Sequence, residues 1–268
     1  MSFRPHTRIR PVVKCLSVGA LVLGHLGLSL LPSQASFLGG VAEFGARLKF
    51  PPTQDLGSPA RSTGGGTRGG ECVAEGEEIP IQAIVPPATY DKTVDTTPEL
   101  VVYVGDVSAS AIEVRMFDSG FNLVGPLEPH RIRLDGQKTG LLTIPLLPDN
   151  LALEPGQYRW SVMLVCDITS SDRAGDPFDL GELEVVSLDA QEQEALSQLQ
   201  GLDKAEQSLQ KQLGYDTLAI AADLYSSDPE TWTELVSSLK LDDNAKAAII
   251  EASFLPLSQP SEDSTPSD

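Results

Sequence analysis

Gln157-Tyr158-Arg159-Trp160-Ser161-Val162-Met163-Leu164-Val165-Cys166 is the stretch whose reading decides the fold. Tyr158, Trp160, Val162, Leu164 and Cys166 alternate with Arg159 and Ser161, the period of a half-buried strand. The alternation places Cys166 on the same inward side as Trp160. Glu154-Pro155-Gly156 supplies the turn before it. Working back along the chain, Ala111–Phe117 shows the same pattern, with Ile112, Val114 and Met116 on one face and Glu113 and Arg115 on the other. Further strands are expected at Ile81–Val85, Leu100–Val104, His130–Leu134, Leu141–Leu146 and Gly181–Val186, with Asp118-Ser119-Gly120 and Asp135-Gly136 as turns. Short strands at this spacing, with a tryptophan beside a half-cystine, predict an antiparallel β-sandwich of immunoglobulin-like architecture over residues 72–187.

Beyond that block the period becomes helical, so the fold class expected is α+β, a sandwich followed by a small helical region at 188–257. Asp189 and Glu192 form a capping box, and Leu196, Leu199, Leu202, Leu209 and Leu213 trace a stripe that Gly201 interrupts. A helix is predicted over Tyr215–Tyr225. Another starts with Asp228 as N-cap and Pro229 at N1, burying Trp232, Leu235, Val236 and Leu239, and a last one spans Asp243–Phe254. Residues 258–268 are polar and acidic and read as a disordered tail.

The start of the chain reads as an address. Arg4, Arg8, Arg10 and Lys14 precede an apolar run from Cys15 to Leu31, and Ser33-Gln34-Ala35 offers a signal-peptidase site. Residues 1–35 are therefore expected to be a signal peptide, and the protein to be periplasmic or secreted with no stable membrane insertion after cleavage. Residues 36–71, with Pro51-Pro52 and the tract from Ser62 to Gly70, are expected to be a flexible Gly/Pro-rich lead-in. Cleavage removes Cys15 and leaves Cys72 and Cys166, which in an exported chain most simply form one disulfide. Closing a loop of ~95 residues, it is worth roughly 4–5 kcal/mol on chain-entropy grounds.

Net charge bounds the partners. At −19 overall, and four units more negative once the basic leader is gone, the chain is repelled by nucleic-acid phosphates and anionic lipid. Histidine beyond the leader is limited to His130, which leaves no Ser-His-Asp triad, no Cys-His dyad and no multi-histidine metal site. Gly64-Gly65-Gly66-Thr67-Arg68-Gly69 matches Gly-x-Gly-x-x-Gly formally, but no strand precedes it and no helix follows, so it reads as linker. Asp167, Asp172, Asp176 and Asp179 fall within 13 residues among Ser, Gly and Pro. Carboxylates so placed are a candidate calcium loop, weighed against a solvated acidic loop. No catalytic residue and no other cofactor is assigned.

In the order and spacing of several segments the chain resembles the cyanobacterial family called domain of unknown function 928. The segments are Gly65–Cys72, Thr96–Val104, Gly156–Trp160 running to Cys166-Asp167, Tyr215-Asp216, Trp232 with Leu235, and Pro256-Leu257. The resemblance implies an exported protein with a strand-rich part followed by helices, and it implies no activity. Together these readings lead to a non-catalytic envelope adaptor or protein-binding module, whose partner is another envelope or secreted protein. A carbohydrate- or calcium-binding module is the alternative, and a two-carboxylate glycoside hydrolase the third.

Overall fold

The computed structural model describes residues 48–52, 72–134, 136 and 139–257. The expected signal peptide, most of the lead-in, the Gly-x-Gly-x-x-Gly tract and the 258–268 tail lie outside those residues. Nine strands are described: β1 (Ile81–Ile84), β2 (Lys92–Thr93), β3 (Glu99–Val104), β4 (Ala111–Asp118), β5 (Leu123–Val124), β6 (His130–Arg133), β7 (Gly140–Pro145), β8 (Gly156–Val165) and β9 (Phe178–Val185). Five helices follow: α1 (Ala190–Ser197), α2 (Gly201–Gln210), α3 (Gly214–Leu224), α4 (Pro229–Ser237) and α5 (Asp243–Glu251). None of these helices is long and apolar enough to cross a membrane.

The strands form two sheets. The first runs β1-β3-β7; the second runs β2-β9-β8-β4-β5, with β6 also paired to β4. The expectation of a wholly antiparallel sandwich is corrected here, because β2 lies parallel to β9, Lys92 opposite Glu184 and Thr93 opposite Val185. β2 is only two residues long, too short to leave a period in the sequence.

Between the sheets lies one apolar core. Leu100, Val102, Val104, Leu142 and Ile144 from the first sheet meet Ile112, Val114, Met116, Trp160, Val162, Leu164, Leu183 and Val185 from the second. The first sheet is covered on its other side too. Val101, Tyr103, Ile84 and Leu141 join Leu218, Ala221, Trp232, Leu235, Val236 and Ile249 of the helices in a second core. β3 is thus buried on both faces, which is why Leu100-Val101-Val102-Tyr103-Val104 is continuously apolar rather than alternating.

Local chemistry sets the helix ends. Asp189 accepts from the Glu192 amide at 2.8 Å while the Glu192 carboxylate accepts from the Asp189 amide at 3.3 Å, a complete capping box. Gly201, at φ +55°, opens α2. Asp228 caps α4 through the Thr231 amide, with Pro229 at the first position. Burial extends into the expected lead-in: Leu48 and Phe50 are 1% and 3% exposed and belong to the helix-side core. At the other end, Ser253 and Leu255 pair with Leu141, covering the free edge of β7.

Candidate functional site

Beside the shared helix-side core, the first residue of α3 after Gly214 ties the helices to the second sheet by hydrogen bonds. The Trp160 indole N–H donates to the Tyr215 hydroxyl at 3.0 Å, and that hydroxyl donates to the Glu182 carbonyl at 2.7 Å. Beside it, the Asp216 carboxylate accepts from the Val94 amide at 3.2 Å and from the Thr93 hydroxyl. Burial pushes the Asp216 pKa up from 3.8 to about 6 against those hydrogen bonds, with Asp95 adding to the rise. Asp91 and Glu99 nearby along β2 and β3 are raised by burial as well.

This junction makes stability depend on pH with a definite sign. Between pH 3.8 and about 6 the folded chain holds a proton on Asp216 that the unfolded chain has released. The contribution is therefore fully present below 3.8 and is lost as pH rises through 6, a difference of about 3 kcal/mol. We expect Asp216→Asn to remove that share of the slope and to raise stability at pH 7 relative to the parent. Urea unfolding at pH 4, 5, 6 and 7 checks it, and an unchanged slope in the variant refutes it.

The four aspartates of the candidate calcium loop are not drawn together. Asp167 accepts from the Thr169 amide and hydroxyl, which holds its carboxyl below the usual range. Asp172 accepts from the Ala174 amide. Asp176 is buried against the start of the loop, taking the Cys166 amide at 3.3 Å, with Arg173 Nε 3.6 Å from its other oxygen. Asp179 is not in the loop at all. It lies on β9 between the sheets, 1% exposed, accepting from the Ala83 amide and the Gln82 side chain of β1 at 2.9 Å each. It clips one sheet to the other. Among the described residues no group of three or more His, Cys, Asp or Glu side chains is arranged to hold a metal ion.

Arg173 also closes an ion cluster on the outer side of the second sheet, with buried carboxylates and partly exposed arginines. Glu113 is 7% exposed and bound by Arg131 at 2.7–2.8 Å, with Arg173 at 3.7 Å. Every proton-transfer candidate in this cluster is held by a cation, as a structural pair would be. His130 sits opposite Val114, half-buried, with Nε2 enclosed and lacking a hydrogen bond. Burial lowers its pKa, opposed by Asp149, and the cavity beside it is only ≈ 10 Å³, about the room of one water.

The hairpin joining β4 to β5 is different in kind. Asp118 Oδ1 accepts from the amides of Gly120 and Asn122 at 2.9 and 2.8 Å, and the Phe121 amide returns to the Asp118 carbonyl at 3.0 Å. These bonds place Phe121 at the left-handed position of the loop, φ +62°, where glycine is the usual residue. The ring is nonetheless 70% exposed. Arg159 lies 4.3 Å over one face of it, itself fixed by Glu182 at 2.8 Å and the Ser119 carbonyl at 3.2 Å. Leu127, after β5, is 87% exposed. In the sequence Asp118-Ser119-Gly120 marks the turn, and nothing in that pattern singles out Phe121. An aromatic between Gly120 and Asn122, inside a turn, was the signal available.

Compared with known families, the chain matches the model described as Domain of Unknown Function (DUF928) over residues 63–249. No curated protein and no solved structure matches it.

Proposed function

The chain belongs to the DUF928 family, and from that premise we propose that it is an exported, non-catalytic module that binds another envelope or secreted protein through the Phe121 hairpin. The observation carrying this reading is the conformation of Phe121. A bulky residue in the left-handed region costs about 1–2 kcal/mol, and an aromatic left in water recovers none of it by burial. Arg159 backs one face of the ring and the turn holds it in one orientation, so the other face is presented to solvent as a preformed aromatic contact. The Cys72–Cys166 disulfide supports the export half of the reading. The strand orders β1-β3-β7 and β2-β9-β8-β4-β5 support an immunoglobulin-like arrangement.

Phe121→Gly separates stability from function. It is expected to raise the stability of the isolated protein by about 1 kcal/mol, by relieving the backbone, and to abolish partner capture. The measurement is photo-crosslinking from a benzoylphenylalanine at position 121 of the tagged chain in its own cells, read by mass spectrometry, with pull-downs of Phe121→Gly alongside. A variant that retains the full partner set refutes the hairpin as the contact. Crosslinks to glycan in place of protein would select the carbohydrate-binding alternative.

A further inference from the structure

The arginines of the described residues gather on one side of the second sheet. Arg115 lies on β4, Arg131 and Arg133 on β6, Arg159 on β8 and Arg173 in the loop after β8. In a chain of net charge −19, such clustering segregates the positive charge. Strand phase is the cause. Ile112, Val114, Met116, Trp160 and Val162 point into the core between the sheets. Their neighbours Glu113, Arg115, Phe117, Arg159, Ser161 and Met163 therefore point outward.

Register carries this outer face across the strands. Arg131 stands opposite Glu113, Glu113 opposite Met163 and Met163 opposite Phe178. The next row is Arg115, Ser161 and Leu180. The row after it holds Leu123, Phe117 and Arg159, and Arg159 continues the face to the Phe121 ring, 4.3 Å away. Phe117, Leu123, Met163, Phe178 and Leu180 are each partly exposed and belong to neither core. The helix-side core is built on the first sheet and takes no residue from this face.

Three of the arginines are neutralised within the fold, Arg131 and Arg173 by Glu113, Arg173 also by Asp176, and Arg159 by Glu182. Among the described residues Arg115 and Arg133 make no ion pair. Arg115 reaches the Leu127 carbonyl at 3.5 Å, and Arg133 is exposed. At physiological ionic strength charges beyond ~8 Å are largely screened, so a partner at this face meets these guanidinium groups rather than the acidity of the whole molecule. Each guanidinium fork matches a carboxylate through two parallel hydrogen bonds. None of β4, β5, β6, β8 and β9 carries a lysine. Arginine, methionine and aromatic side chains without lysine are the composition of a protein–protein interface.

We propose that the outer face of the second sheet is the surface on which the partner protein docks, and that the partner presents carboxylates around an apolar centre. Those carboxylates pair with Arg115 and Arg133, while its apolar side chains cover Met163 and Leu180 and reach Phe121 at the edge. The inference rests on the protein-binding reading and gives that partner its chemistry.

Two measurements on the full chain test it. In cells, benzoylphenylalanine at position 161, in the middle row, is compared with the same probe at position 121. Both should crosslink to one protein, through peptides that mass spectrometry shows to be rich in aspartate and glutamate. In solution, a fluorescein-labelled peptide Glu-Asp-Leu-Glu-Phe-Asp-Leu-Glu should bind the parent by anisotropy. Its Kd should rise at least tenfold for Arg115→Glu with Arg133→Glu. Lys204→Glu with Lys246→Glu, an equal charge change on the helices, should leave it within twofold. If the arginine pair loses its cooperative melt, Arg115→Gln with Arg133→Gln replaces it, with at least a threefold rise. A parent that ignores the acidic peptide, or binds its Gln/Asn counterpart equally, overturns the proposal. So does an equal loss in the lysine variant. Crosslinks at 121 with none at 161 overturn the face and leave the hairpin reading standing; crosslinks at 161 alone do the reverse. Crosslinks from 161 to glycan, lipid or a second copy of this chain overturn the acidic partner protein.

Discussion

Gly181→Ala is expected to destabilise the fold by about 4 kcal/mol or more, as much as truncating a buried tryptophan. Gly181 lies opposite Trp160 in the β8–β9 ladder, with an ordinary extended backbone. Space, not conformation, requires the glycine. A Cβ built there would stand 2.1 Å from Trp160 Cζ2 and 2.5 Å from Cε2. The indole has no retreat, because Trp160 is 1% exposed and its N–H is committed to the Tyr215 hydroxyl. Displacing it would break the bond to the Tyr215 hydroxyl, one of the contacts between α3 and the second sheet. The prediction is read from guanidinium unfolding, with Trp160→Leu as partner substitution. In the double variant the clash disappears, so its loss should fall well short of the two single losses combined. A Gly181→Ala protein within about 1 kcal/mol of the parent would show that the strands do not approach as described.

That glycine also explains where sequence reading fell short. The seven longer strands were visible because they alternate or run apolar over four residues or more. The strand expected from Gly181 in fact begins at Phe178, since glycine punctuates most strands and here merely makes room for an indole. β2 and β5, two residues each, are fixed by their neighbours and leave no period of their own. Helix starts were legible because capping is local: Asp189 with Glu192 and Asp228 with Thr231 act within three residues. The last helix, expected to reach Phe254, stops at Glu251, where the chain turns extended to pair with Leu141. The layering was not. Nothing in β3 says which of its two apolar faces meets a sheet and which meets helices. The aspartates between 167 and 179 show the same limit, because nearness in sequence put Asp179 in a loop whereas strand pairing put it between sheets. Leu48 and Phe50 were hidden by composition, since a stretch rich in glycine and proline can still seat two side chains.

Replacing Cys72 and Cys166 together by serine is expected to cost roughly 4–5 kcal/mol, the chain-entropy value for a loop of 94 residues. Against the 5–15 kcal/mol of a typical domain this is a large share. The structure gives a reason to expect nearly the full value. The two Cα atoms are 5.2 Å apart, and each cysteine is held by other bonds. The Cys72 carbonyl accepts from the Ser108 amide at 2.7 Å, and Cys166 gives its amide to Asp176 and takes the Ser110 hydroxyl at 3.1 Å. Serine pairs can keep those bonds, so the loss falls on the unfolded state rather than on native packing. The linked segment runs from ahead of β1 to the end of β8 and contains none of the helices α1 to α5. Whether the helices share the loss depends on the core they form with β1, β3 and β7 as well as on the Trp160–Tyr215 link. Trp160 and Trp232 are the chain's two tryptophans, one in each core, so single-tryptophan variants report on the two layers separately. If the molecule unfolds as one unit, both probes should move to the same lower guanidinium midpoint, with a steeper m-value as the unlinked chain exposes more surface. A shift confined to Trp160 would mean that the helix-side core stays folded when the core between the sheets is lost, and that the two cores are weakly coupled. Oxidised parent and double-serine proteins with equal midpoints would refute the disulfide as a stabilising element.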